Sequence, residues 1–214
     1  MVGDLTQGTM LSPLLISFYI RNLPTNPGTL SIKYADDVTM GSRSDENFQF
    51  SRLQSSLSSI FEWSSTSCLS LNVSKCYDIL FSLATGDRLH SMERQCPSLC
   101  IGSQPIPSVH SVNYLGVTLS HNLTWSMHML NVFSKIRKLC FYVSRLRFLQ
   151  VPFRLISRFV YMCVVSHLLY CSPVIFSGLR IKDHQILRRC IRVISRASGI
   201  SRAELLNFIV QKHL

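Results

Sequence analysis

Acidic residues are scarce in this chain: 11 Asp and Glu stand against 22 Lys and Arg, and beyond position 129 only Asp183 and Glu204 oppose fifteen basic side chains. Residues 1–129 sum to −2 and residues 130–214 to +13, so attraction for a polyanion would come from the C-terminal part alone. Nucleic acid is the first partner that such a balance favours, an acidic membrane surface the second. A CxxC pair is also missing. The eight Cys lie scattered through apolar runs, which argues against a common zinc pattern; Cys96, Cys100 and His110 match none. Met1 to Met10 shows neither a charged leader nor an apolar signal core, so the expectation is an intracellular chain, in cytoplasm or nucleus and not secreted, with its thiols reduced and buried. The sequons Asn72-Val73-Ser74 and Asn122-Leu123-Thr124 then carry no meaning. Charge is missing altogether from Phe159 to Leu179, about the length that crosses a bilayer. Ser166, His167, Ser172, Pro173 and Gly178 interrupt that run, and it reads as a core helix ending before Pro173, with no stable membrane association.

What is present is enough apolar sequence for a real core. Hydrophobic residues make up 47% of the 214, which excludes a disordered chain and allows one large or two small domains. Ser12 followed by Pro13 predicts a helix start, with Leu15, Ile16, Tyr19, Ile20 and Leu23 packing one face against a sheet. Pro24 to Gly28 ends it. Ser44 is placed to cap a second helix through about Thr66, its apolar side formed by Phe50, Leu53, Leu57, Ile60 and Phe61 and its opposite face rich in Ser. Leu69, Leu71 and Val73 alternate as a strand or its approach, Tyr77 to Leu83 reads as another strand, and Leu99 to Leu119 as short antiparallel strands broken by Gly and Pro. After Trp125 the pattern is helical. Lys135, Lys138, Tyr142 and Arg145 fall on one face, and Val132, Ile136, Leu139, Val143 and Leu146 on another; Arg188, Arg192 and Arg196 repeat the basic device at intervals of four. A basic stripe is either a solvated face or a grip on phosphates.

The most informative stretch is Ile32-Lys33-Tyr34-Ala35-Asp36-Asp37-Val38-Thr39-Met40. Leu30, Ile32 and Tyr34, then Val38 and Met40, alternate as two half-buried strands with the acids at the turn. Two adjacent carboxylates suit a solvated turn, where Asp bonds its own backbone. They also suit a divalent cation, because Mg²⁺ takes oxygen ligands from one or two carboxylates together with substrate phosphates, but on the dipeptide alone the solvated turn is the preferred reading.

Four blocks in order carry a resemblance. Tyr34-Ala35-Asp36-Asp37 looks like the YxDD box of reverse transcriptases, and Thr6 to Leu15 (TQGTMLSPLL) resembles the block that precedes it. Leu69 to Cys76 (LSLNVSKC) is similar to the LxLNxxKT block, and Tyr114-Leu115-Gly116-Val117 to the YLG segment that follows. The flavour is that of non-LTR, LINE-like retrotransposons. It departs where Asp4 and Thr6 stand in place of the usual Gly and Pro, which loosens a turn that ought to be stiff.

The resemblance implies an α+β fold, the C-terminal part of a right-hand polymerase palm over residues 1–121 and a basic helical thumb or connection domain over 122–214. It implies RNA-directed DNA polymerisation with Mg²⁺ on an RNA template and DNA primer duplex, using deoxynucleotides. Asp36 and Asp37 would be the catalytic metal ligands, Lys75 would serve the leaving pyrophosphate, and Gln7, Gly8 and Tyr34 would shape the nucleotide and template site. Tyr114, Leu115 and Gly116 would belong to the primer grip, although a buried strand whose Gly allows close backbone approach fits them as well. Lys135, Lys138, Arg145, Arg188, Arg192 and Arg196 would hold the duplex backbone without reading sequence. Family members carry a further metal-binding Asp on a strand well before the Gln7-Gly8 block, whereas only six residues precede Gln7 here. The expectation is therefore a fragment inactive by itself, or a non-catalytic nucleic-acid-binding remnant that uses its basic C-terminal half.

Overall fold

The computed structural model describes residues 12–43, 50–84 and 97–211, with Ser12, Pro13, Ile16 and Phe50 as backbone only. Among the described residues, helices and three two-stranded antiparallel sheets form an α+β arrangement, and the chain divides into two compact units. The first contains residues 1–80 and 84–109, the second 81–83 and 110–214. The division falls between Val109 and His110, so the segment around Tyr114 groups with the helices that follow it.

In the first unit, α1 (Ser12–Tyr19) runs into a 3-10 turn (Ile20–Asn22), then β1 (Leu30–Tyr34) and β2 (Asp37–Gly41) form a hairpin. The long helix α2 (Phe50–Thr66) follows, then a 3-10 turn (Val73–Lys75), and the small strands β3 (Cys100–Ile101) and β4 (Gln104–Pro105). The core is Leu99, Ile101 and Ile106, packed by Leu53, Leu57, Leu71, Val73 and Cys76. Gln54 of α2 fixes β3 by a two-way bond: its Nε2 donates to the Cys100 carbonyl, and its Oε1 accepts the Cys100 N–H, both at 2.9 Å. The Ser-rich face of α2 turns back on its own backbone, as when Ser58 donates to the Gln54 carbonyl and Ser59 to that of Ser55.

Several expectations need correction here. The alternating residues Leu30, Ile32 and Tyr34 are not half-buried but 64, 45 and 60% exposed, while Ser31 and Lys33 occupy the less exposed face. Alternation fixes which residues share a face, but only packing decides which face is covered. On α1, Leu15 and Tyr19 are likewise exposed and do not pack against a sheet, whereas Leu23 just beyond it is buried. Leu69 to Val73 forms no strand; Leu71 and Val73 pack inward and the chain coils into the 3-10 turn. Tyr77 to Leu83 is extended with a single parallel bridge, Asp78 to Ser108, and no ladder. The Ser44 cap and the Gly86-Asp87-Arg88 connection lie outside the described residues.

In the second unit, the hairpin β5 (Ser111–Tyr114) and β6 (Val117–Ser120) leads into α3 (Ser126–Phe148), α4 (Phe153–Phe159), a π-helical turn (Val160–Val165), α5 (Ser166–Leu169), α6 (Ser172–Ser177), α7 (Ile181–Ser198) and α8 (Arg202–Gln211). Val132, Ile136, Cys140 and Val143 of α3 share the core with Ile156, Val160, Val164 and Val165 and with Cys190, Ile191 and Ile194 of α7. The uncharged run is thus core helix in pieces. It ends at Leu169, Cys171 takes a left-handed φ of 55°, and Pro173 opens a new helix where its missing N–H costs nothing. No helix among the described residues is long and apolar enough to cross a membrane.

α3 and α7 lie side by side in parallel. At their N-termini the Ser126 hydroxyl donates to Asp183 Oδ1 at 2.6 Å, and the fully buried Asp183 also accepts the Arg180 N–H at 3.1 Å, which closes the start of α7. At their C-termini Arg147 Nη1 donates to the carbonyls of Arg196 and Ala197, both at 3.3 Å, placing a cation where the α7 dipole is negative. The thiols are a mixture. Cys140 and Cys190 are buried, and burial pushes them up to about 11 and about 12, but Cys68, Cys163 and Cys171 are exposed, and every described Cys is free.

Candidate functional site

The acids sit at the tip of the β1–β2 hairpin. Its register pairs Tyr34 with Asp37, which leaves Ala35 and Asp36 as a two-residue loop. Ala35 carries a left-handed φ of 46°, a conformation that favours Gly and costs an L-residue about 1 kcal/mol. The strained turn leaves Asp36 and Asp37 both exposed, with Asp37 on the same face as Tyr34, Ile32 and Thr39. On the opposite face Lys33 Nζ donates to the Ile20 carbonyl at 3.3 Å, tying the hairpin to the 3-10 turn after α1. Tyr19 is held in turn by its hydroxyl, which donates to the Ser67 carbonyl beyond α2. Two hard carboxylates, adjacent and open to solvent, are a donor set that fits a hard divalent cation. Among the described residues no group of three or more His, Cys, Asp or Glu side chains converges, so the Asp36-Asp37 pair is what these residues offer.

Lys75 ends the Val73–Lys75 turn with its side chain exposed, its N–H donating to the Asn72 carbonyl at 3.0 Å. Gln7 and Gly8 lie outside the described residues, as does Cys96 of the unmatched Cys and His group.

The Tyr114-Leu115-Gly116 segment is a second tight hairpin. Tyr114 pairs with Val117, and Leu115 and Gly116 both take positive φ, 47° and 82°, the backbone of a type I′ turn. Three side chains that the sequence did not single out for the site lock it in place. The Tyr170 hydroxyl donates to the Leu115 carbonyl at 2.7 Å, and a Cβ on Gly116 would lie 3.5 Å from the Tyr170 ring. His128 Nδ1 accepts the Thr118 N–H at 3.2 Å, and Asn131 Nδ2 donates to the Thr118 hydroxyl at 3.0 Å. Burial, helped by repulsion from Lys135, holds the imidazole of His128 below the usual histidine range, which suits a ring nitrogen acting as acceptor. A helical spacing of three between His128 and Asn131 was the available signal; nothing local marked Tyr170.

The basic residues are displayed as their spacing requires. Lys135, Lys138 and Arg145 are exposed along α3, opposite the buried Val132, Ile136 and Val143, and Arg188, Arg192 and Arg196 are exposed along α7. Both acids of the region are engaged, Asp183 in the core and Glu204 as acceptor of the Tyr161 hydroxyl at 3.0 Å.

The structure thus combines an acid-tipped hairpin in one unit with exposed basic helical faces in the other, and sequence comparison gives the family. Residues 4–119 match the family described as reverse transcriptase (RNA-dependent DNA polymerase), and the chain belongs to it. It is 26% identical over 184 residues to the RNA-directed DNA polymerase from mobile element jockey of Drosophila melanogaster, covering 82% of this chain and 19% of that protein. The jockey polymerase of Drosophila funebris is 27% identical over 58% of this chain and 14% of its own length. The probable RNA-directed DNA polymerase from transposon X-element of Drosophila melanogaster is 29% identical over 61% of this chain and 14% of its own. The chain therefore spans a fifth or less of the length of these relatives. No solved structure is similar enough to count as a match.

Proposed function

We propose that this chain is the segment of a non-LTR retrotransposon reverse transcriptase that contributes the YxDD hairpin of the palm and a helical thumb. The observation that carries the reading is the pair Asp36 and Asp37, both solvent-accessible at the tip of a two-residue hairpin within the family match. The two carboxylates are the groups that would hold Mg²⁺; when bound there, the ion supplies Lewis-acid stabilisation of a phosphoryl oxygen. Lys75 presents an exposed ammonium suited to the charge of a leaving pyrophosphate, and Tyr34 stands across the strand pair from Asp37. The second hairpin, with Tyr114, Leu115 and Gly116, serves as a primer-holding element. Lys135, Lys138, Arg145, Arg188, Arg192 and Arg196 grip the duplex backbone of RNA template and DNA primer.

A two-ion site needs more ligands than Asp36 and Asp37, and among the described residues no third His, Cys, Asp or Glu joins them; on this reading the 214-residue polypeptide by itself holds a cation without polymerising. Titrating it with Mn²⁺ should broaden the amide signals of Ala35 to Val38, an effect that Asp36→Asn with Asp37→Asn removes. In primer extension on an RNA template, with Mg²⁺ or Mn²⁺, it should yield no product. Product that vanishes with Asp36→Ala would overturn the inactive-alone reading, and broadening spread over the surface without focus on the hairpin would remove the metal-site reading.

The concentration of basic charge in the second unit favours a second reading, in which the polypeptide acts as a binding module without chemistry. Duplex binding that falls steeply with salt, survives Asp36→Asn and is lost with Arg188, Arg189 and Arg192 changed to Gln supports it.

A further inference from the structure

The α3 surface contains more than phosphate ligands. Opposite its buried stripe, the helix exposes Lys138, Phe141, Tyr142, Arg145, Phe148 and Leu149 in turn, and the aromatic members are 69, 57 and 75% exposed. Isolated apolar side chains on a surface need no explanation, but three aromatic rings along one face of one helix make a contiguous patch. Phe141 and Tyr142 stand edge to face with centroids 5.7 Å apart, and the Arg145 guanidinium lies over the Phe148 ring at 5.3 Å. The 23 residues of this helix contain no Asp or Glu at all.

We infer that this face is a stacking platform for single-stranded nucleic acid, a role distinct from the grip on duplex backbone and one that rests on reading the second unit as a nucleic-acid surface. Charge chooses the class of occupant. Every ionised side chain on the face is a cation, so an apolar protein partner would bury Lys138 and Arg145 without counter-charges, at a cost that phosphates turn into attraction. The rings choose the strand state. A duplex closes its bases into its own stack and offers a helix only phosphates and groove edges, whereas an unpaired strand offers base faces. An exposed ring takes up such a face whatever the sequence, and a guanidinium already lying on an aromatic ring adds a second planar surface. The cations at Lys135, Lys138 and Arg145 recur along the same side of the helix and follow the strand's backbone.

The test uses the whole 214-residue chain and fluorescein-labelled oligonucleotides of equal length at one salt concentration: oligo-U, oligo-dT and a blunt duplex, read by anisotropy. Phe141→Leu with Phe148→Leu, both at exposed positions, should weaken binding of the single strands by roughly tenfold per ring and leave the duplex affinity and its salt slope unchanged. Tyr142→Trp should retain single-strand affinity, and the new indole fluorescence should be quenched by oligo-U or oligo-dT but not by the duplex. Preference between oligo-U and oligo-dT tells whether RNA or DNA is the natural strand; either supports the platform. Single-strand affinity unchanged in the double Leu variant, or equal losses on single strand and duplex, overturns the platform and leaves the backbone grip standing. Absence of binding to all three removes both.

Discussion

Two hairpins, each closed by a two-residue turn, have opposite surroundings. Each is a two-residue turn led by Tyr, Tyr34-Ala35-Asp36-Asp37 in one and Tyr114-Leu115-Gly116-Val117 in the other, and each pairs its Tyr with the residue three further on. The second is fastened by Tyr170, His128 and Asn131, and its own Val117 and Ser120 are buried. The first shows solvent an apolar face of Leu30, Ile32 and Tyr34, and Lys33 bonds it to the 3-10 turn that follows α1. The difference teaches that a turn motif specifies a backbone shape and not its rigidity. Rigidity comes from whatever packs against the strands.

The comparison can be sharpened first through the cores. Ile136 is fully buried among the helices while Ile32 is 45% exposed. Ile136→Ala should therefore cost about 2–5 kcal/mol of denaturation free energy, and Ile32→Ala about 0.5 kcal/mol or less, by urea unfolding followed with circular dichroism. Similar losses at both positions would mean that the first hairpin is covered in solution.

A middle-sized effect concerns the fastening itself. Tyr170→Phe deletes one bond to the Leu115 carbonyl and should cost about 1 kcal/mol, seen as faster hydrogen exchange across β5 and β6 but not across β1 and β2. Acid should loosen the same hairpin. The folded-state pKa values of His128 and His167 lie below 6.5, lowered first by burial and then by Lys135. The unfolded chain thus binds more protons in that window. The stabilisation is complete above pH 6.5 and is lost as pH falls through the lower folded values, while His128 loses the lone pair that accepts the Thr118 N–H. Exchange protection of β5 and β6 that stays flat from neutral pH to about pH 5 would contradict this.

The smallest expected effect lies at the acid-tipped turn. Ala35→Gly removes the strain of a φ of 46° but loosens the unfolded chain, for a net gain of about 0.5 kcal/mol in the first hairpin. A loss of stability there would show that the left-handed turn is held by contacts stronger than its own preference.

Much of this was legible in the residues. The four motif blocks identified the family, the alternation around Tyr34 identified the first hairpin, and the 3.6-residue period placed Ile136 inside and Lys138 outside on α3, whereas at Tyr114 the residues suited a buried strand and the structure shows a turn. Period and propensity are local, and so they survive any tertiary arrangement. Exposure of the Leu30 face, the absence of a ladder at Tyr77 to Leu83 and the breaks at the π-helical turn were not legible, because each depends on what lies across from the segment.

The sequence alone determined the acid pair, the excess of positive charge beyond residue 129 and the class of element at most positions, since these follow from side-chain chemistry and spacing along the chain. Only the tertiary structure decided that Ser126 meets Asp183 across 57 residues, that Tyr170 reaches back 55 residues to hold the Leu115 turn, and that three rings on α3 stay in solvent. Such pairings depend on which helix faces which, and that is set by the summed burial of a whole core rather than by any residue's neighbours in the chain.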